Sequence, residues 1–90
     1  MKATQVFYEG RVQGVGFRYS VRRIATAYEV CGWVRNLPDG RVELQVTGEP
    51  DEVKAFLADI RESSLAGHIT AEQTYSIDID KPFKGFQILP

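Results

Sequence analysis

Residues 3–28 read ATQVFYEGRVQGVGFRYSVRRIATAY, and along them the period of the apolar positions changes from two to about 3.6. Residues 3–9 alternate as a strand rich in β-branched and aromatic side chains, with Val6 and Tyr8 on one face and Gln5, Phe7 and Glu9 on the other. Over residues 17–28, Val21, Ile24, Ala25 and Tyr28 recur at i, i+3, i+4 and i+7, the single apolar stripe of a packed helix. Gly10, Gly14 and Gly16 punctuate the connection between them. This is a strand–loop–helix unit, and the rest of the chain repeats its logic.

Residues 32–36 read as a second strand, and Leu37-Pro38-Asp39-Gly40 as a turn. Pro38 presets φ, Asp39 tolerates the bridge region and Gly40 can take a positive φ. In residues 41–47, Val42, Leu44 and Val46 alternate with polar neighbours, which predicts a half-buried strand paired with residues 32–36 as a hairpin. A second helix begins near Pro50, with Glu49, Asp51 and Glu52 at its positive end, Arg61 near its negative end, and Val53, Phe56, Leu57 and Ile60 as its stripe. After Ser63, Ser64 and Gly67, residues 69–79 look extended but irregular, and residues 86–89 form a short last strand. The order βαββαβ, with the fourth strand long or broken, predicts an α+β ferredoxin-like sandwich: an antiparallel sheet with both helices on one face. That architecture hosts many functions, so function must come from the site.

The loop points to an anion. Gly10-Arg11-Val12-Gln13-Gly14-Val15-Gly16-Phe17-Arg18 can leave several backbone N–H groups aimed at one point, where the helix start adds positive partial charge. A tight turn chosen for backbone reasons would explain the glycines alone. Arg18 shifts the balance towards an anion, because a cation is disfavoured at a helix N-terminus unless an anion neutralises both; a solvated arginine reaching outward is the alternative. The loop lacks the Gly-Lys-Ser/Thr of a Walker A sequence, hence a hydroxyl for Mg²⁺, so a metal-free phosphate site is expected. Arginine also suits phosphate through its planar, two-pronged geometry. Asn36 closes the second strand. A strand-end Asn commonly bonds its own turn, but parallel first and second strands would bring Asn36 to the loop's end of the sheet, where it could orient a water.

Ninety residues, 43% hydrophobic and 26% charged, fit one domain spanning residues 1–90. A net charge of −1 and a pI near 5.8 argue against a nucleic-acid partner. Lys84-Gly85-Phe86 faintly resembles part of an RNA-recognition motif, but on the wrong strand. One cysteine, Cys31, and one histidine, His68, make neither an intramolecular disulfide nor a Cys/His metal cluster. No apolar run reaches membrane-span length and no leader core is visible, so a cytoplasmic chain without a membrane partner is expected.

Two stretches carry a family resemblance. Residues 10–18 resemble the first acylphosphatase signature, and Gly32-Trp33-Val34-Arg35-Asn36, followed by Gly40-Arg41-Val42 and Gly48, resembles the second. The resemblance covers essentially the whole chain. It implies hydrolysis of the carboxyl–phosphate bond of small acyl phosphates to a carboxylate and inorganic phosphate, with no cofactor or metal, in a protein expected to be monomeric. By position it makes Arg18 the phosphate-binding arginine and Asn36 the residue that positions the attacking water. The backbone of Gln13, Gly14, Val15, Gly16 and Phe17 becomes the phosphate cradle.

Arg22 is a candidate to extend the positive rim, with a solvated helix face as the alternative. Arg11 and Arg35 are candidates for steering anions to the mouth, and His68 is assigned no role. Where family members often carry a glycine after the first helix, this chain has Tyr28-Glu29-Val30. A positive φ at Glu29 would cost roughly 1 kcal/mol. A module that binds acyl phosphate or phosphate without turnover is the alternative function.

Overall fold

The computed structural model describes residues 1–90. Strand β1 (Lys2–Gly10) leads to helix α1 (Phe17–Ala25), the hairpin strands β2 (Val30–Asn36) and β3 (Val42–Gly48), and helix α2 (Pro50–Glu62). A 3₁₀ turn (Ser64–His68) then precedes β4 (Ile69–Asp78) and β5 (Phe86–Ile88). The sheet order is β4-β1-β3-β2-β5. β1 and β2 each pair antiparallel with β3, so they run parallel to each other with β3 between them. Their C-terminal ends, Gly10 and Asn36, therefore lie at the same end of the sheet.

The apolar stripes meet as the patterning requires. Val6 and Tyr8 of β1, Val34 of β2 and Val42, Leu44 and Val46 of β3 join Val21 and Ala25 of α1 and Val53, Phe56, Leu57 and Ile60 of α2 in one cluster of 15 buried residues. The opposite sheet face carries no helix. Glu43, on that face of β3, is nevertheless only 4% exposed. It accepts hydrogen bonds from Gln5 Nε2 (2.7 Å), Gln45 Nε2 (3.1 Å) and Arg35 Nε (2.9 Å). Burial alone would raise the carboxyl's pKa; the three donors and the Arg35 charge outweigh it and hold it below its ordinary value.

Two details differ from the sequence expectation. The sheet is not wholly antiparallel, because β5 pairs parallel with β2. Residues 79–85 carry the chain from the β4 edge across to the other, so β5 enters at the end where β2 begins. Phe83 packs edge-on against Trp33 on the way (6.4 Å between ring centroids), and Gly32 N donates to Gly85 O at 2.8 Å. Helix α1 also ends at Ala25, not at Tyr28. Thr26, Ala27 and Tyr28 donate to the carbonyls three residues back, at 3.2, 3.0 and 3.1 Å, tightening the exit without a left-handed residue. No residue other than glycine has a positive φ, so the strain anticipated at Glu29 does not arise.

Candidate active site

The Gly-rich loop hangs between two buried anchors. Val12 is 1% exposed and Phe17 2% exposed, and the Phe17 ring packs against Tyr8 with centroids 5.1 Å apart. Both anchors belong to the core cluster, so residues 13–16 project from fixed points. Gly14 and Gly16 take φ of +78° and +75°, and an added Cβ would meet nothing within 4 Å at either. These glycines answer to backbone conformation, not to crowding. Gly16 is also the N-cap of α1; it offers no side chain to the first turn, which contains no acidic residue. The amides from Gly14 to Tyr19 accordingly find no acceptor within the chain. They form a row of free donors at the positive end of a helix dipole.

Val12, Gly14, Gly16, Phe17, Arg18, Tyr19 and Asn36 line one cleft of about 130 Å³. That is the scale of a small oxyanion or a few waters. The fold thus brings Arg18 and Asn36 together across β3. Asn36 shares the helix-side face of β2 with buried Val34, and its Oδ1 is buried without a hydrogen-bond partner. Buried carboxamide oxygens are normally paired, so an orphan acceptor on a residue that lines this cleft is a candidate anchor for a polar ligand.

Neighbouring segments brace both halves. Arg18 Nη1 donates to Leu89 O at 3.0 Å, and Leu89 N donates to Val34 O at 2.9 Å, so the segment after β5 ties the guanidinium to β2. The turn after Asn36 closes through Leu37 N to Arg41 O at 2.8 Å and Gly40 N to Leu37 O at 3.1 Å. Within it Asp39 accepts from the backbone N and Nε of Arg41, at 3.0 and 2.9 Å, which holds its carboxyl below the usual range. Gln13 Nε2 reaches the same turn, donating to Leu37 O and Arg41 O at 2.8 and 2.9 Å.

The structure adds Leu89 and the Gln13 side chain to what the sequence suggested. No local signal marks Leu89, whose contact with Arg18 spans 71 positions. For Gln13 only the backbone was expected to matter.

Other expectations fare differently. Arg35 does not face the cleft: its Nη2 pairs with Glu43 Oε1 at 2.8 Å and its guanidinium lies 5.1 Å from the Trp33 ring centre, on the helix-free face. Strand alternation requires this, since Asn36 beside it points the other way. Arg11 is exposed and outside the cleft lining. Arg22 lines a separate shallow depression with Tyr19, Ser20, Arg23 and Thr26. His68 ends the 3₁₀ turn, with its carbonyl against Gly10, and lines no cavity. The largest cavity, about 530 Å³, runs along α2 at the far end of the sheet and contains none of the candidate residues.

The acylphosphatase family model matches residues 4–88. An acylphosphatase of Methylococcus capsulatus is 40% identical over 99% of this chain and 97% of its own length. The crystal structure of acylphosphatase from Bacillus subtilis superposes with a TM-score of 0.88 at 31% identity, covering all of both chains. T. kodakarensis HypF matches with a TM-score of 0.87 at 31% identity, over 100% of this chain but only 12% of HypF.

Proposed function

The chain belongs to the acylphosphatase family, and from that premise we propose how its cleft hydrolyses the carboxyl–phosphate bond of small acyl phosphates. The amides of residues 13–17 and the guanidinium of Arg18 hold the phosphoryl oxygens. Asn36 Oδ1 accepts a hydrogen bond from a water and aims its lone pair at phosphorus, in line with the P–O bond to the acyl group. As the water's oxygen bonds to phosphorus, that P–O bond breaks and its electron pair leaves with the carboxylate. The water's proton passes to a phosphoryl oxygen, because a carboxamide is too weak a base to take it. A carboxylate leaves readily at neutral pH, so no general acid is needed. Equatorial charge in the transition state is met by preorganised donors in place of a metal.

The observation that carries this reading is the shared cleft, lined by Arg18, by loop residues with free amides and by Asn36, whose Oδ1 has no hydrogen-bond partner. All of these groups come from one chain, so we take the protein to act as a monomer and residues 1–90 as one functional unit. No helix is long and apolar enough to cross a membrane; we place the activity in the cytoplasm, with no membrane or nucleic-acid partner. The test is hydrolysis of acetyl phosphate and benzoyl phosphate with EDTA present. Turnover well above background, unchanged by EDTA, is expected. Turnover that requires added metal would overturn the metal-free mechanism, and saturable binding without turnover would make the chain a binding module.

A further inference from the structure

We propose that the Gln13 side chain is a positioning residue that sets the separation between the phosphate cradle and the water-holding carboxamide of Asn36. The proposal rests on the roles argued above for the cradle and Asn36. Those groups sit on different segments, the loop of residues 11–16 and the hairpin of residues 36–41. The Gln13 carboxamide makes the only hydrogen bonds between the two segments. Its nitrogen donates to Leu37 O and to Arg41 O, the two carbonyls at the mouth of the turn that follows Asn36. Each also accepts a backbone bond, from Gly40 N and Leu37 N respectively, so the carbonyls are already fixed when Gln13 reaches them.

A primary carboxamide suits this position because one nitrogen carries two N–H donors. A glutamate of the same length offers only acceptors when ionised and would repel both carbonyls. Asparagine keeps the chemistry but is one methylene short. The core anchors at Val12 and Phe17 fix the ends of the loop, and Gln13 fixes its lateral distance from the hairpin. Such a distance matters because in-line attack is sensitive to placement: an error of about 1 Å can cost roughly 10²-fold in rate.

Gln13→Met, close in shape but without donors, tests the idea. The readouts are kcat for benzoyl phosphate hydrolysis and inhibition by inorganic phosphate, with the thermal melt checking the fold. We expect kcat to fall by about 10- to 100-fold while phosphate inhibition changes less than about threefold, since Arg18 and the loop amides remain. Gln13→Asn should behave alike and carries the test if the Met variant does not fold. In a double-mutant cycle, Gln13→Met on top of Asn36→Ala should slow the enzyme no further than Asn36→Ala alone. Wild-type kcat in a folded Gln13 variant, loss of phosphate affinity in step with kcat, or additive losses in the cycle would each overturn the proposal. If Asn36→Ala itself keeps the wild-type rate, the reading beneath the proposal fails instead.

Discussion

In the proposed mechanism Arg18 and Asn36 divide the work of the cleft between charge and direction, and substitution can separate the two. Arg18→Ala should lower kcat/KM by at least about 10²–10³, the cost of one preorganised donor, and should also abolish inhibition by inorganic phosphate. Arg18→Lys keeps the charge but not the planar fork, and should recover only part of the loss. Asn36→Ala should reduce kcat by a comparable factor and leave phosphate inhibition nearly intact; steady-state kinetics with phosphate as inhibitor reads both. The proposed mechanism uses no general acid or base, so the rate should be flat between about pH 6 and 8. Arg18 stands out in the sequence because a cation at a helix start is locally odd, whereas Asn36, an ordinary strand-end residue, is singled out by strand topology and by the family resemblance. For Arg35 the sequence suggested a place at the mouth, although the strand's own alternation puts it opposite Asn36.

At the level of elements, the loop and α1 form one device: two apolar anchors, two left-handed glycines and an uncapped helix start. Gly16→Ala meets no steric obstacle, so its penalty should be conformational, about 1–2 kcal/mol for a left-handed residue with a Cβ. Urea denaturation would measure it, and phosphate affinity should fall as the donor row tilts. The segment after β5 supports the same device from the other side. Leu89→Pro removes the N–H that bonds Val34 O and should loosen the carbonyl holding Arg18. KM and the phosphate inhibition constant should rise together, severalfold, with less effect on kcat; an unchanged inhibition constant would show that Arg18 holds its place without Leu89. Periodicity revealed the helices and the hairpin because their apolar stripes are crisp. It could not reveal β4 as cleanly, since β4 is an edge strand whose residues are mostly exposed or half-buried. The brace between Leu89 and Arg18 was illegible because it depends on where a distant strand docks.

Across the whole molecule, the two sheet faces hold together by different means, apolar packing beneath the helices and a polar network around Glu43 on the other side. The depressed pKa of Glu43 gives that network a pH signature. A carboxyl whose folded pKa lies below its unfolded value contributes stability above the ordinary value of 4.5 and loses it as pH falls through the lower folded value. Glu43→Gln should therefore cost about 1–3 kcal/mol at neutral pH, and the gap to wild type should narrow below pH 4.5; thermal melts across that window measure it. The sandwich, its helices and its hairpin followed from sequence patterning, whereas the parallel β5 did not, because no local feature encodes a crossover to the far edge. That arrangement, with β1 and β2 held apart by β3 and Arg18 tied to Leu89, has a kinetic consequence. No early hairpin or isolated strand–helix unit contains both halves of the proposed catalytic pair. During refolding, turnover should appear only once the sheet has closed from β1 to β5, and its recovery would time the completion of folding more strictly than any signal from helix formation.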